Sequence, residues 1–287
     1  MAKSETESLP VVAFIGVGNM AEAMLDCAVA NGWPREKLLL THRREDRRAE
    51  LQQRFGGEIL TDNLAAVRDA DAIVLAVRPQ DFEELLKTLV PAFHADHLLI
   101  SIAAGLTIDW FRPRLPEGMR VIRVTPPPTA WVSAGVTLMS ADDDVDAAKR
   151  SATERLAKGT CERVEWVPDH LMEPITAIGL ALTPYTCFLI MNVIKAGIEQ
   201  GIDPDFARSL VLEGSWATAR LLHDSGFSPE EVIDKIATRE GLTWAALHTM
   251  EAHGVPEGIR AGVRSLTGRS YELRGEEVPP EFQGFSR

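Results

Sequence analysis

The feature that most constrains the fold is an apolar run that ends in two closely spaced glycines. Residues 11–15 read Val-Val-Ala-Phe-Ile, Gly16 and Gly18 follow in the order G-x-G, and a helix-forming stretch begins at once. This order predicts the first strand, tight turn and first helix of a dinucleotide-binding fold. Gly16 permits the turn, and Gly18 leaves room for a pyrophosphate at the helix N-terminus. We predict that Gly16, Gly18, Asn19 and Met20 hold a nucleotide; the alternative is a glycine turn without a ligand.

The composition is that of a globular protein large enough for two domains. Of its 287 residues, 45% are hydrophobic and 25% are charged, as in ordinary soluble chains. The net charge of −12 argues against a nucleic-acid partner, because such a partner calls for a basic surface. Residues 1–10 are polar and contain no apolar stretch typical of a secretory leader. We therefore predict a disordered N-terminal tail over residues 1–10 and a cytoplasmic protein.

The cysteines and histidines form no recognisable metal motif. Cys27, Cys161 and Cys187 are far apart in the sequence, and His94 and His97 have no third ligand at a convincing spacing. Ordinary thiols in a reducing compartment fit this pattern. The sequence therefore predicts no metal site.

One stretch, residues 174–194, contains no charged side chain and is long enough to span a bilayer. Pro184 lies in its middle, and several threonines, a tyrosine and an asparagine make it only moderately apolar. A helix buried in a core or in a subunit interface fits this composition better than a membrane span. We predict no membrane partner.

The first half of the chain alternates strand-like and helix-like segments. The predicted strands are 11–15, 37–41, 72–77, 98–102, 120–125 and 136–139. The predicted helices are 19–31, 45–55, 62–69, 80–92 and 107–114. This alternation indicates a parallel sheet covered on both faces, a doubly wound α/β domain of the Rossmann type over residues 11–167. Ligands of such sheets bind at the carboxyl ends of the strands.

The second half is predicted to be all-helical. The predicted helices are 169–197, 204–225, 229–238, 242–252 and 255–272. Asp203-Pro204 and Ser228-Pro229 each place a capping residue before a proline at the first helical position. The uncharged first helix has too much apolar surface for solvent, which suggests subunit contact. We predict a helical dimerisation domain over residues 168–275 and a C-terminal tail over residues 276–287.

Two arginines stand just after the second predicted strand, which ends in Thr-His-Arg-Arg at residues 41–44. NAD-specific folds usually place a carboxylate here, where it binds the ribose 2′-hydroxyl. Guanidinium groups instead bind a 2′-phosphate through charge-assisted hydrogen bonds. We predict NADP(H) as the cofactor, with Arg43 as the first candidate ligand, Arg44 as the second and His42 beside them. The alternative is a solvated basic start to a helix, since two more arginines follow.

Two further strand ends carry small residues or a tight turn. Residues 76–79 place a proline where the next helix begins, a position that suits proline. Residues 103–105 are small, so a flat nicotinamide and its ribose could lie against the backbone. Each feature alone could reflect packing of the core. Because the two features occur at corresponding strand ends, together they favour a cofactor-binding site. The predicted cofactor-binding residues here are Ala76, Val77, Arg78, Pro79, Ala103 and Gly105.

Four motifs in this order resemble pyrroline-5-carboxylate reductases. They are F-I-G-x-G-N-M-A at 14–21, L-A-V-R-P-Q at 75–80, S-I-A-A-G at 101–105 and V-I-R-V at 121–124. The similarity covers residues 11–272. The resemblance implies a Rossmann domain followed by a helical dimerisation domain, and reduction of a cyclic imine to proline by hydride from NAD(P)H. It also implies a small-molecule imine substrate and a homodimer, and larger rings of dimers occur in the family.

The sequence departs from the family where the resemblance places the substrate. Pro127 stands where the family has an asparagine near the nicotinamide, and aliphatic residues replace the small residues of T-A-x-S-G-S-G-P-A-Y at 176–185. The family's S-P-G-G-T-T turn, which helps to hold the substrate carboxylate, reads Thr-Arg-Glu-Gly-Leu-Thr at 238–243. These changes make the predicted pocket more apolar.

The resemblance implies that this turn binds the substrate through Arg239, Gly241, Leu242 and Thr243. Thr243 is the candidate catalytic residue, which would orient the imine nitrogen, or it is simply a helix N-cap. Arg239 could replace the lost backbone donors, or it could pair with Glu240 and leave the turn neutral. Three functions stay open: pyrroline-5-carboxylate reduction, reduction of another imine in a more apolar pocket, and NADP(H) sensing or scaffolding without turnover.

Overall fold

The computed structural model describes residues 9–56 and 59–283. Most of the predicted N-terminal tail, and residues 284–287 of the predicted C-terminal tail, lie outside the described residues. The chain divides into two compact units. Among the described residues, the first unit holds the chain up to Leu180 together with Leu266–Gln283, and the second holds Ala181–Ser265.

The first unit is built on an eight-stranded sheet in the order β3-β2-β1-β4-β5-β6-β7-β8. The strands are β1 (Val12–Ile15), β2 (Leu38–Thr41), β3 (Ile59–Leu60), β4 (Ala72–Leu75), β5 (Leu98–Ser101), β6 (Arg120–Thr125), β7 (Val136–Ala141) and β8 (Arg163–Trp166). Strands β1 to β6 are parallel. The strand order reverses at β1, between β2 and β4, which is where ligands of such sheets bind.

Helices cover both faces of this sheet. They are α1 (Asn19–Ala30), α2 (Glu45–Phe55), α3 (Asn63–Arg68), α4 (Phe82–Leu89), α5 (Ile108–Phe111), α6 (Ala147–Ala157) and α7 (Met172–Ile175), which continues into a π-helical turn at Thr176–Leu180. Phe14 packs with Met24 of α1 on one face, whereas Ile15 packs with Phe82 of α4 on the other. Neighbouring residues of a strand point to opposite faces, so both helix layers are anchored. The predicted doubly wound α/β fold is confirmed.

One edge of the sheet departs from the predicted parallel arrangement. β7 runs antiparallel to β6, with Val124 opposite Met139, because residues 126–135 return the chain without a crossover helix. The sequence pattern also misses β3, β8 and α6. β3 has two residues, and β8 carries charged Arg163 and Glu165, so neither presents a clear apolar run. The helix predicted over 169–197 is interrupted by the π-helical turn.

The second unit consists of helices. They are α8 (Leu182–Glu199), α9 (Pro204–Ser225), α10 (Pro229–Ile236), α11 (Leu242–Ala252) and the first part of α12 (Val255–Arg274). The predicted starts are present as capped ends: the Asp203 carboxylate accepts two N–H groups of α9 at 3.1 and 3.0 Å. Ser228 and Glu231 form a capping box at the start of α10. Such caps stabilise a helix that has little packing of its own.

This unit exposes large apolar side chains. Within the single chain, α8 buries none of its residues, and the exposed fractions of Phe188 and Trp216 are 67% and 71%. Asp169–Glu199 is the one helical stretch of the described residues that is long and apolar enough to cross a membrane, by length and composition only. Exposed large apolar side chains in this number are typical of an interaction site.

Candidate functional site

A cleft of about 480 Å³ lies at the carboxyl ends of β1, β2 and β4. Its lining includes seven of the predicted cofactor-binding residues: Gly16, Gly18, His42, Arg43, Ala76, Val77 and Arg78. The other predicted residues, Asn19, Met20, Arg44, Pro79, Ala103 and Gly105, adjoin these in sequence or lie on the next strand end but are not part of the lining. The cleft therefore gathers the glycine turn, the end of β2 and the end of β4.

The glycine turn is shaped by its neighbours. Gly16 has φ +80°, and a Cβ atom at this position would lie 2.5 Å from Cγ1 of Val77. The Gly16 N–H donates to Oγ1 of Thr41 at 3.4 Å, and that hydroxyl donates to the Phe14 carbonyl at 3.3 Å. The turn is thus hydrogen-bonded to Thr41 of β2, and it lies closely against Val77, which follows β4.

The N-terminus of α1 faces this cleft without a capping side chain. Gly18 is the N-cap residue, and no side chain bonds the first-turn N–H groups of α1. A Cβ atom at Gly18 would meet nothing within 4 Å, so Gly18 is free of packing demands. Uncapped N–H groups at the positive end of a helix suit a phosphate. Asn19 and Met20, the first two residues of α1, supply these groups.

Two of the four arginines between residues 43 and 48 are neutralised by carboxylates. Arg44 forms an ion pair with Asp46, with Nε and Oδ1 at 3.0 Å, and this contact holds the pKa of the Asp46 carboxyl below its usual range. Arg47 forms an ion pair with Glu22 of α1. Neither guanidinium is part of the cleft lining.

The other two arginines have different roles. Arg48 donates through Nη1 to the carbonyl oxygens of His42 and Arg43, at 3.2 and 3.1 Å. Arg43 is exposed and lines the cleft, and across residues 9–56 and 59–283 its guanidinium has no hydrogen bond or ion pair. Arg43 is therefore the cation of this group that is left for a ligand.

The end of β4 forms a fixed wall. The Ala76 N–H donates to the Ile15 carbonyl at 3.0 Å, and Arg78 pairs with Asp81 at 3.0 Å. Pro79 is the first residue of a short 3-10 turn, Pro79–Asp81. Proline here gives the chain its turn without losing a needed donor. Arg78 enters the cleft with its charge balanced.

Sequence reasoning missed part of the lining: Thr61, Asn63, Gln80, Asp81, Glu84 and Leu85. Thr61 and Asn63 follow β3, whose two residues carry no readable pattern. The Asp62 carboxylate accepts the Leu64 N–H at 2.8 Å, an N-cap that the T-D-N sequence could have signalled.

The segment after β5 is packed against the end of α12. Gly105 has φ +88°, and a Cβ atom there would lie 3.3 Å from Cδ1 of Leu273. Arg274 donates through Nη1 to the Gly105 carbonyl at 3.0 Å. Ala103 is 5% exposed, and its N–H donates to Oγ of Ser101 at 3.3 Å. The small residues of this segment thus serve packing in the first unit, and they lie outside the lining of the cleft.

The segment that contains Pro127 is a tight turn after β6. Thr129 donates through its hydroxyl to the Ala134 carbonyl at 2.7 Å. Gly135 has φ +94°, and a Cβ atom there would lie 3.0 Å from Oγ1 of Thr129 and 3.3 Å from Cβ of Pro127. This rigid turn presents Trp131, which is 73% exposed.

In the second unit, residues 238–243 form a strained turn before α11. Glu240 has φ +61°, which costs free energy for a residue other than glycine. Gly241 is the N-cap of α11, and a Cβ atom there would lie 2.6 Å from Oγ1 of Thr238. Leu242 is 94% exposed, and Thr243 is exposed on the first turn of α11.

Two alternatives for this turn can be compared with the structure. Because Gly241 is the N-cap of α11, Thr243 does not serve as the N-cap. Arg239 and Glu240 are exposed and, in the part of the chain that the structure describes, form no ion pair with each other. The first turn of α11 has no side-chain cap. Its N–H groups and the Arg239 guanidinium are therefore available to a carboxylate.

The Tyr185 hydroxyl in the second unit has no hydrogen-bond partner among residues 9–56 and 59–283, and burial raises its pKa. In the same described ranges, no three His, Cys, Asp or Glu side chains are placed to hold a metal ion.

Family comparisons match both halves of the chain. Residues 11–105 match a family described as NADP oxidoreductase, coenzyme F420-dependent. Residues 169–273 match a family described as pyrroline-5-carboxylate reductase dimerisation.

Individual relatives match over nearly the whole length. Pyrroline-5-carboxylate reductase 1 of Bacillus spizizenii is 29% identical, with 94% of this chain and 93% of that protein covered. The pyrroline-5-carboxylate reductase of Pseudomonas aeruginosa is 27% identical, with 93% and 97% covered.

Solved structures share the fold. A Plasmodium falciparum pyrroline carboxylate reductase with NADP bound has a TM-score of 0.82 at 20% identity, covering 94% of this chain and 99% of that one. The 1-pyrroline-5-carboxylate reductase of Streptococcus pyogenes has a TM-score of 0.83 at 22% identity, covering 92% and 98%. This chain therefore shares the fold of these structures over more than nine-tenths of its length.

Proposed function

The chain belongs to the pyrroline-5-carboxylate reductase family, and we propose that it transfers hydride from NADPH to the C=N bond of pyrroline-5-carboxylate, which yields proline. The observation that carries this proposal is the cleft in which an uncapped glycine turn and the free Arg43 guanidinium line one surface. Relatives that match both halves of the chain bear the name of this reductase.

The residues of the cleft fit NADPH. Gly18 has space on its open side, so a pyrophosphate can approach the N–H groups of Asn19 and Met20. Arg43 binds the 2′-phosphate, with His42 and Arg44 as neighbours on the same loop. Ala76 and Val77 form the wall of the cleft, beside Arg78. NADPH supplies the hydride when it is bound; the protein supplies placement.

Three of the predicted cofactor-binding residues act on the site indirectly: Ala103, Gly105 and Pro79. They shape the strand ends through the packing described above, and they do not line the cleft. We propose that their effect on NADPH is indirect, through the position of the turns that they hold.

The substrate binds at the turn before α11. The N–H groups of Leu242 and Thr243, with Arg239 nearby, would hold the carboxylate, and Gly241 keeps the turn compact. The Thr243 hydroxyl orients the imine nitrogen; a neutral hydroxyl positions the substrate better than it donates a proton. Glu240 keeps its exposed carboxylate on the same turn, which limits how many anionic groups the site accepts.

The other two functions are less well supported. Reduction of a different imine would follow from Leu180, Leu182 and Leu242, which make the predicted pocket more apolar, but the named relatives are pyrroline-5-carboxylate reductases. A non-catalytic NADP(H) sensor would need no exposed substrate turn. We retain both as outcomes of the experiment below.

The helices of the second unit form the subunit contact of the proposed homo-oligomer. The match to a dimerisation family and the exposed apolar side chains of α8 and α9 support a dimer in which these helices bury one another. A ring of dimers is our further proposal, as are cytoplasmic localisation and domain limits of 11–167 and 168–275, with tails at 1–10 and 276–287.

The test is NADPH oxidation by the purified protein with pyrroline-5-carboxylate, with 1-pyrroline, which lacks the carboxylate, and with a panel of larger cyclic imines. We expect turnover with pyrroline-5-carboxylate and much slower turnover with 1-pyrroline. Thr243→Val should reduce kcat/KM for the imine, whereas Thr249→Val, farther along α11, should not. Faster turnover of another imine would identify that imine, rather than pyrroline-5-carboxylate, as the preferred substrate. NADPH binding without oxidation of NADPH would favour the non-catalytic sensor function.

A further inference from the structure

We propose that Arg48 is the positioning residue for recognition of the 2′-phosphate, because it holds the backbone on both sides of Arg43. The inference rests on the proposed function in one respect, that Arg43 binds the phosphate of NADPH. It assigns a separate role to a residue that does not itself line the cleft.

The geometry is specific to Arg43. The carbonyls of His42 and Arg43 belong to the two peptide planes that flank the Cα atom of Arg43. Nη1 of Arg48 donates to both of them, at 3.2 and 3.1 Å. Fixing both planes fixes φ and ψ of Arg43, and hence the direction in which its side chain leaves the backbone.

Other contacts of the loop restrain its ends and one of the two planes around Arg43. The Arg44 N–H donates to Nδ1 of His42 at 3.1 Å, and the His42 N–H donates to the Leu60 carbonyl at 3.4 Å. The Arg48 N–H donates to the Arg44 carbonyl at 3.1 Å, which begins α2. These contacts tie the loop to β3 and α2, while Arg48 alone among them holds both planes around Arg43.

The hydrogen-bond partners of Arg48 are uncharged, so they do not neutralise its positive charge. Arg44 and Arg47 are paired with carboxylates, whereas Arg48 bonds carbonyl oxygens and, within the described ranges, makes no ion pair. Arg48 therefore adds positive potential beside Arg43 as well as rigidity. A loop ordered before the ligand arrives binds more tightly, because less conformational freedom is lost on binding.

The test compares equilibrium binding of NADPH and NADH by calorimetry, with no turnover required. The proteins are the wild type, Arg48→Met, Arg48→Lys, Arg47→Met and Arg43→Ala. Arg48→Met and Arg47→Met each remove one positive charge from neighbouring positions of α2, and Arg47 lies outside the cleft lining, so Arg47→Met is the matched control for charge. Thermal unfolding of each variant reports whether the fold is kept.

We expect Arg48→Met to weaken the binding affinity for NADPH roughly tenfold, as for loss of a hydrogen bond to a charged group. The affinity for NADH should change by less than about twofold. Arg47→Met should change the NADPH affinity by less than about twofold, and Arg48→Lys should recover part of the loss. Equal effects of Arg48→Met on the affinities for the two nucleotides, or equal effects of Arg48→Met and Arg47→Met on the NADPH affinity, would overturn the positioning role. Unchanged NADPH affinity in Arg43→Ala would instead overturn the assignment of the 2′-phosphate to Arg43.

Discussion

The turn at Gly16 is built against Val77: a Cβ atom at Gly16 would lie 2.5 Å from Cγ1 of Val77. This contact joins the end of β1 to the end of β4, on either side of the point where the strand order reverses. Since the φ of Gly16 is +80°, a larger residue would be strained even without the contact. The turn therefore depends on this glycine for folding as well as for binding.

Replacement of the two glycines should separate folding from binding. Gly16→Ala should lower the free energy of unfolding by about 2 kcal/mol, from backbone strain and the Val77 contact. Gly18→Ala should leave the free energy of unfolding nearly unchanged, because nothing lies within 4 Å of its added Cβ. It should weaken the binding of NADPH, because the added methyl group obstructs the pyrophosphate. Urea unfolding and NADPH binding measure the two effects. A Gly18→Ala protein with normal NADPH affinity would show that the pyrophosphate lies elsewhere.

Arg43 should determine the preference for NADPH over NADH. Arg43→Ala removes the free guanidinium of the cleft, so the KM for NADPH should rise by about one to two orders of magnitude, as expected for loss of charge-assisted hydrogen bonds. The KM for NADH should change little, since NADH has no 2′-phosphate. Steady-state kinetics with both nucleotides provide the measurement, and parallel rises for both would argue against a phosphate ligand at this position.

A buried cluster around Arg123 should be a major contribution to the stability of the first unit. Arg123 is 1% exposed and pairs with Asp169 at 2.6 Å and Glu173 at 2.5 Å, and Asp169 also accepts the Ile108 N–H at 2.9 Å. Arg123→Met would leave two carboxylates without a cation, which should cost about 3–5 kcal/mol.

Arg163→Met is the control for the Arg123 cluster. It breaks an exposed ion pair with Glu165, which should cost no more than about 1 kcal/mol. Urea unfolding of both variants gives the comparison. Equal losses of stability would mean that burial does not distinguish the two pairs.

His97 should make the protein less stable in mild acid. The ring is 1% exposed, and burial lowers its pKa below the ordinary value of 6.5, with His94 adding to the effect. Below that ordinary value the unfolded chain binds a proton at His97 and the folded chain does not, so the free energy of unfolding falls as pH falls. His97→Gln should show a weaker decrease below pH 6.5 than the wild type. His253→Gln, at an exposed position, should leave the decrease unaltered.

The exposed face of α8 should be required for assembly. Phe188 is 67% exposed in the single chain, and burying a new carboxylate in an interface is unfavourable. Phe188→Asp should therefore shift the protein from dimer towards monomer in analytical ultracentrifugation. Gln53→Asp adds the same charge to an exposed site on α2 and should leave the oligomer intact. A dimer that tolerates Phe188→Asp would place the interface on another surface.

The sequence predicts best what is local. The strand, turn and helix at residues 11–30 follow from neighbouring residues, and so do the caps at Asp203 and Ser228. The direction of β7 could not be predicted, because its pairing with β6 depends on how residues 126–135 return. Gly105 shows the same limit for the site: its carbonyl accepts from Arg274, 169 residues away in the sequence.

The arginines after β2 show a second limit. Sequence alone ranks Arg43 above Arg44 by position, and it leaves open the alternative of a solvated basic start to a helix, since two more arginines follow. Only the structure shows that Arg44 and Arg47 are paired with carboxylates and that Arg48 bonds backbone carbonyls. Side-chain partners of this kind depend on rotamers and on α1, which the pattern of charges does not encode.

Hydride transfer itself is the most direct test of the proposed function. The protein would be incubated with NADPH that carries deuterium at the reactive carbon of the nicotinamide, with each face labelled in a separate preparation, together with pyrroline-5-carboxylate. We expect proline that contains deuterium at the former imine carbon, from one of the two preparations. Unlabelled product from both, or bound NADPH that is never consumed, would contradict it.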